Sequence, residues 1–92
     1  MTAAETYIAA RNAERAAGME VPLHAPFTAG AQDLRFAGVR KVNGQSLALL
    51  SAGGVVMVLP LDDLTASRVA RMKVGDPIRI KDGAVQGRAR GR

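Results

Sequence analysis

The sequence contains no cysteine and no tryptophan, and its aromatic side chains are Tyr7, Phe27 and Phe36 alone. Without cysteine there is no disulfide framework, no thiol nucleophile and no cysteine-based zinc site. With so few rings, the 48% of apolar residues must pack as aliphatic layers. That suits a small sheet or barrel better than a deep small-molecule pocket, and no small-molecule substrate is expected. Histidine occurs once, as His24, in a proline-rich stretch with no acidic pair beside it, so neither a metal centre nor base catalysis is expected there. Long hydrophobic runs are missing as well. Nothing approaches the roughly 18 apolar residues of a membrane span. The first helix-forming stretch carries Glu5, Arg11, Glu14 and Arg15, which a signal peptide would not. A cytoplasmic location without membrane contact is the expectation.

What is present is one short domain's worth of chain, 92 residues, able to bury roughly 60–65% of its unfolded surface around a single modest core. The net charge of +5 is unevenly spread. Residues 1–33 hold two basic and four acidic side chains, whereas residues 34–92 hold eleven basic and four acidic ones. The second part is therefore where a polyanion would be attracted.

Local patterns divide the chain into four parts. Thr2 and Glu5 have capping-box spacing, residues 3–17 are rich in Ala, Glu and Arg, and Gly18 is a natural helix stop. Residues 1–18 are thus read as a helix, with a thin apolar face of Ala4, Tyr7 and Ile8 that anchors it poorly. Residues 19–33 contain two prolines and no helical period, and are read as an extended connector held by Leu23 and Phe27.

Residues 34–86 read as a small barrel. Leu34–Val42 is a strand with a bulge or bend at Gly38, Asn43-Gly44 has the chemistry of a type I′ turn, and Gln45–Leu50 is the return strand. Ser51–Gly54 turns into Val55–Leu59, a continuous apolar run of the kind buried on both faces. Pro60 is expected to stop the sheet. Asp62 or Asp63 caps a helix to about Met72, with Leu61, Leu64, Val69 and Met72 inward. Ile78–Lys81, an Asp82-Gly83 turn and Ala84–Gln86 complete the order β-β-β-α-β-β. That order is the order of an OB-fold, with SH3-like barrels close to it. Residues 87–92 alternate small residues with arginine and are expected to be a disordered basic tail.

No catalytic constellation can be assembled. Asp62 and Asp63 are adjacent, but they stand where a helix needs its cap and where negative charge suits its dipole. Ser46, Ser51 and Ser67 lack a base and an orienting acid, and Gly53-Gly54 lacks the lysine and hydroxyl of a phosphate loop. No enzyme, cofactor or metal is expected. The residues with most to offer are basic: Arg68, Arg71 and Lys73 at one helix end, Arg79 and Lys81 on the next strand, and Arg88, Arg90 and Arg92 in the tail. Together they would contact nucleic-acid phosphates weakly and without sequence preference. Phe36 alone could stack a base, and it is expected in the core instead.

Several stretches carry a family resemblance: Tyr7-Ile-Ala-Ala-Arg-Asn-Ala-Glu-Arg15, Val21-Pro-Leu-His24, Phe36-Ala-Gly-Val-Arg-Lys-Val-Asn-Gly-Gln-Ser-Leu-Ala-Leu-Leu50, Val56-Met-Val-Leu-Pro-Leu-Asp62 and Arg68-Val-Ala-Arg-Met-Lys-Val-Gly-Asp76. Over nearly the whole chain this pattern resembles the C-terminal region of conjugative relaxases and related mobilisation proteins of plasmids and integrative elements. Those proteins nick and hold the transferred strand through a tyrosine and a histidine-bound metal in an N-terminal domain. Nothing here matches that site, and Tyr7 does not take the nucleophile's role. The resemblance implies an accessory domain of a larger DNA-transfer protein, with a helix that ends a connecting segment. It also opens a second expectation, docking on a coupling or secretion component with no DNA contact, the Arg-rich terminus serving as a secretion signal.

Overall fold

A computed structural model describes residues 1–81 and 84–88, residues 86–88 by backbone alone. The elements in chain order are α1 (Ala3–Ala16), β1 (Leu23–Pro26), β2 (Arg35–Val42), β3 (Gln45–Ala52), β4 (Val55–Leu61), α2 (Asp63–Val69), β5 (Ile78–Lys81) and β6 (Ala84–Arg88). The protein is mainly β with a helix at its N-terminus. Four strands form one sheet in the order β1-β4-β3-β2, and β5 and β6 form a hairpin.

The sheet grows from two tight turns. Asn43 and Gly44 adopt φ of 51° and 80°, so β2 and β3 pair antiparallel from Val42↔Gln45 onward, as the turn chemistry requires. Gly53 and Gly54 repeat the device at φ of 57° and 86° and set Ala52 opposite Val55. The expected bulge is present: the β2–β3 register shifts between Phe36 and Gly38, and Gly38 has φ 119°. Beyond the bulge the start of β2 stays paired with β3, and its other edge is stitched to the segment leading into the hairpin by Phe36 N–H to Asp76 O (2.8 Å), Gly75 N–H to Phe36 O (2.7 Å) and Ile78 N–H to Leu34 O (3.1 Å).

Both faces of the sheet are buried, because β3 carries the unbroken run Leu47-Ala-Leu-Leu50, exposed by 4% or less throughout. Alternation along a strand sends neighbours to opposite sides. Leu47, Leu49, Val56 and Val58 meet Ala4 and the partly buried Tyr7 and Ile8 on one side. Ala48, Leu50 and Leu59 join Leu34, Phe36, Val69 and Ile78 on the other. The first face is covered by α1, so this helix is an integral layer and not a poorly anchored appendage. Its capping box forms as its spacing predicts, with the Glu5 amide donating to the Thr2 hydroxyl (3.1 Å) and the Thr2 amide to the Glu5 carboxylate (2.7 Å).

The stretch read as a connector contains β1, which runs parallel to β4 from Leu23↔Val55 to Pro26↔Val58. Its prolines flank or end the strand, where a missing N–H costs least. Leu23 is 45% exposed and anchors nothing. Phe27 does pack on the larger core, and Val21 is buried where no anchor was expected.

Pro60 does not end the sheet. β4 runs on to Leu61, with Pro60 opposite Leu47. Since β1 ends opposite Val58, β4 is an edge strand at Pro60, and an edge tolerates proline. Among the described residues no barrel closes, because β1 occupies the far edge of β4 and β6 pairs only with β5. The Asp82-Gly83 turn lies outside the described residues. β6 reaches Arg88, so residues 87 and 88 are strand, while 89–92 of the expected tail also lie outside the described residues.

Candidate nucleic-acid interface

The placement of the basic residues begins with Asp62. Its carboxylate accepts the Thr65 amide at 2.7 Å as the N-cap of α2. That hydrogen bond holds its pKa below the ordinary value, so the carboxylate is engaged as a cap. Ala66 and Val69 are the buried side of α2, which leaves Arg68 and then Arg71 in solvent. The helix ends at Val69, short of the expected Met72, although Met72 still packs on the core. Leu64, expected inside, is 74% exposed: with seven residues the helix buries only one narrow side, and Leu64 falls off it.

A turn follows, in which the Lys73 amide donates to the Asp76 carboxylate at 3.0 Å and Gly75 takes φ 97°. It delivers the chain to β5 with Ile78 in the core. Alternation then turns Arg79 and Lys81 outward, and both are exposed, as are Arg68, Arg71 and Lys73. Arg88 ends β6 as the register partner of Ile78. Arg90 and Arg92 lie outside the described residues.

Two of these cations line recesses. Arg79 lines a cleft of ≈ 390 Å³ between residues 31–35 and 77–80, where it is joined by Arg35. Arg68 lines a second, of ≈ 260 Å³, between the end of β4, α2 and the start of β6. Three exposed basic residues were not anticipated: Arg35, Arg40 and Lys41 on β2. Arg35 stands between the buried Leu34 and Phe36, and that alternation was the signal for its outward direction. Arg40 and Lys41 belong to the free edge of β2, where charge discourages edge-to-edge pairing. Among the described residues, the one ion pair is Arg11–Glu14 at 2.8 Å on α1, and in the second part Arg68 lies near enough to Asp62 to help lower its pKa.

No described residues gather three or more histidine, cysteine or acidic side chains that could hold a metal. His24 is 4% exposed, its Nδ1 donates to the Pro22 carbonyl at 2.8 Å, and its ring meets that of Tyr7 edge-on at 5.6 Å. The two side chains that chemistry could have used are thus employed in joining α1 to β1. Phe36 is 3% exposed in the larger core, which leaves the basic surface without an aromatic platform. Among the described residues no helix is long and apolar enough to cross a membrane.

The family model described as the TraI-like C-terminal domain matches residues 3–86. Two curated proteins of Escherichia coli, each called Protein TraI, are 48% identical over 75 residues and 40% identical over 81 residues. These alignments cover 82% and 87% of this chain but only 10% and 11% of the relatives. The chain therefore spans about a tenth of their length. No solved structure matches it.

Proposed function

Because the chain belongs to the TraI-like C-terminal domain family, we propose that it is a non-catalytic accessory module of a larger DNA-transfer protein, working in the cytoplasm and touching DNA through its phosphates. The observation that supports this most is the set of exposed cations from Arg68 to Lys81 in a chain that matches the TraI-like C-terminal domain over residues 3–86. Arg68, Arg71, Lys73, Arg79 and Lys81 supply charge, with Arg88, Arg90 and Arg92 adding further cations beyond β5. With Phe36 buried, such contact is electrostatic and does not read bases.

The test is a titration of the 92-residue chain with short single- and double-stranded DNA at about 50 and then 200 mM salt, following backbone amide shifts. Binding through phosphates weakens steeply over that range because condensed counterions are released. Shifts over residues 68–81 that fade at the higher salt support the reading. Affinity that is indifferent to salt, or no shift at either concentration, overturns it.

A second reading is favoured by Leu64 and Val74, each 74% exposed beside the basic residues. Apolar side chains interleaved with arginine are what a protein surface recognises. In that case the module docks on a coupling or secretion component, and DNA affinity is absent while transfer still depends on this domain.

A further inference from the structure

We propose that the cleft between residues 31–35 and 77–80 seats one phosphodiester of single-stranded DNA, with Arg35 and Arg79 as its two cationic walls. The inference rests on the DNA-contact reading and gives it a specific place and strand preference. It begins with the junction of β2 and β5. Arg35 and Pro77 form an antiparallel bridge, and the neighbouring Leu34 and Ile78 are both 4% exposed. Alternation therefore turns Arg35 to the outer side on one segment and Arg79 on the other. Two arginines that are 44 positions apart in sequence line one recess.

The chemistry of the lining selects an anion of limited size. Neither guanidinium has an ion-pair partner among the described residues. Arg35 commits one nitrogen to the Gly75 carbonyl at 3.3 Å, which fixes the side chain and leaves further donors of its fork open. Gln32 adds an amide to the same recess, and Asp33 adds one carboxylate, held there with φ 56°. Two cations against one anion favour a singly charged phosphodiester over a dianion. The volume of ≈ 390 Å³ lies within the roughly 300–1,000 Å³ of small-ligand pockets. One nucleotide unit fits a recess of that volume, and only an unpaired base is free to turn in beside its phosphate. The Pro77 ring and the planar guanidinium groups also give a base something to lie against where no aromatic is exposed.

The experiment measures affinity and its salt slope for a short oligothymidylate and for a duplex, using the 92-residue chain and five variants. Arg35→Gln is expected to weaken single-strand binding several-fold and to flatten the slope of log K on log salt by about 0.7, the loss of one phosphate contact. Arg35→Lys restores most of that slope, which separates a lost contact from a disturbed fold. Asp33→Asn tightens binding. Arg40→Gln removes the same charge from the same strand outside the cleft and leaves affinity and slope as they were. Equal effects of Arg35→Gln and Arg40→Gln, or a duplex bound as tightly as the single strand, overturn the cleft. Sensitivity to Arg68→Gln with Arg35→Gln silent also overturns it while leaving DNA contact standing. A chain that binds neither DNA form removes both readings.

Discussion

Asn12 grips the backbone of His24 from both sides: its Oδ1 accepts the His24 amide at 2.9 Å and its Nδ2 donates to the His24 carbonyl at 3.0 Å. One amide side chain on α1 thereby occupies both backbone groups of a residue in β1, in the way a neighbouring strand would. Pairing with β4 on one side and with Asn12 on the other leaves the middle of β1 with no exposed polar edge.

Replacing Asn12 with alanine strands a donor and an acceptor at a residue that is 4% exposed. The expected cost is about 1–3 kcal/mol, read as a lower midpoint in urea denaturation. Asn12→Asp keeps the acceptor and loses the donor, so its midpoint is expected between those of the parent chain and Asn12→Ala.

Leu47 and Leu50 are both fully buried, yet they point into opposite clusters. Leu47→Ala and Leu50→Ala are each expected to lose about 2–5 kcal/mol. Removing residues 1–18 uncovers Leu47, Leu49 and Val58 together, and the shortened chain is expected to lose its cooperative thermal transition in circular dichroism. A shortened chain that melts like the parent would show that α1 is dispensable to the fold.

The sheet's second buried face shows how far local pattern carries. Asn43-Gly44, the Gly38 bulge and the Thr2–Glu5 box are all local signals, legible because the backbone conformation they need is encoded within four residues. The strand Leu23–Pro26 is different, since its partner is Val55–Val58 and the three residues between Pro22 and Pro26 are too few to establish a period. The sign of α1's importance was in β3, not in α1: a strand with Leu47, Ala48, Leu49 and Leu50 in succession needs cover on both sides. Arg35 was missed for a related reason. Basic residues grouped by their spacing in sequence collect Arg68 to Lys81, whereas only the isolated Arg35↔Pro77 bridge ahead of β5 sets Arg35 beside Arg79.

Two caps make the fold sensitive to acid. Hydrogen bonds from Thr2 to Glu5, and from Thr65 to Asp62, lower both carboxyl pKa values on folding. Each group's contribution is complete above its unfolded pKa and disappears as the pH falls through its lowered folded one. Melting temperature is therefore expected to hold steady near neutrality and to drop below about pH 4, the ordinary carboxylate range. A chain carrying both Glu5→Gln and Asp62→Asn should start lower and show a shallower fall.

Leu64 lies one helical turn before Arg68 and is exposed, so the two proposed partners respond oppositely to its replacement. Leu64→Lys is expected to leave stability nearly unchanged. If α2 meets DNA, affinity rises and the salt slope steepens by about 0.7–0.9. Unchanged DNA binding together with impaired transfer would instead favour the protein-docking reading.

The edge-on contact of Tyr7 with His24 has a use in watching the chain fold. Tyr7 is the sole tyrosine in a protein with no tryptophan, so intrinsic ultraviolet emission above the weak phenylalanine signal reports on α1 alone. The β2–β3–β4 meander closes through short turns, while β1 pairs with β4 some thirty residues on and α1 packs on both, a slower search. The part of this chain synthesised first is thus the last to settle, and a stopped-flow trace at Tyr7 should lag behind the far-ultraviolet signal of the sheet.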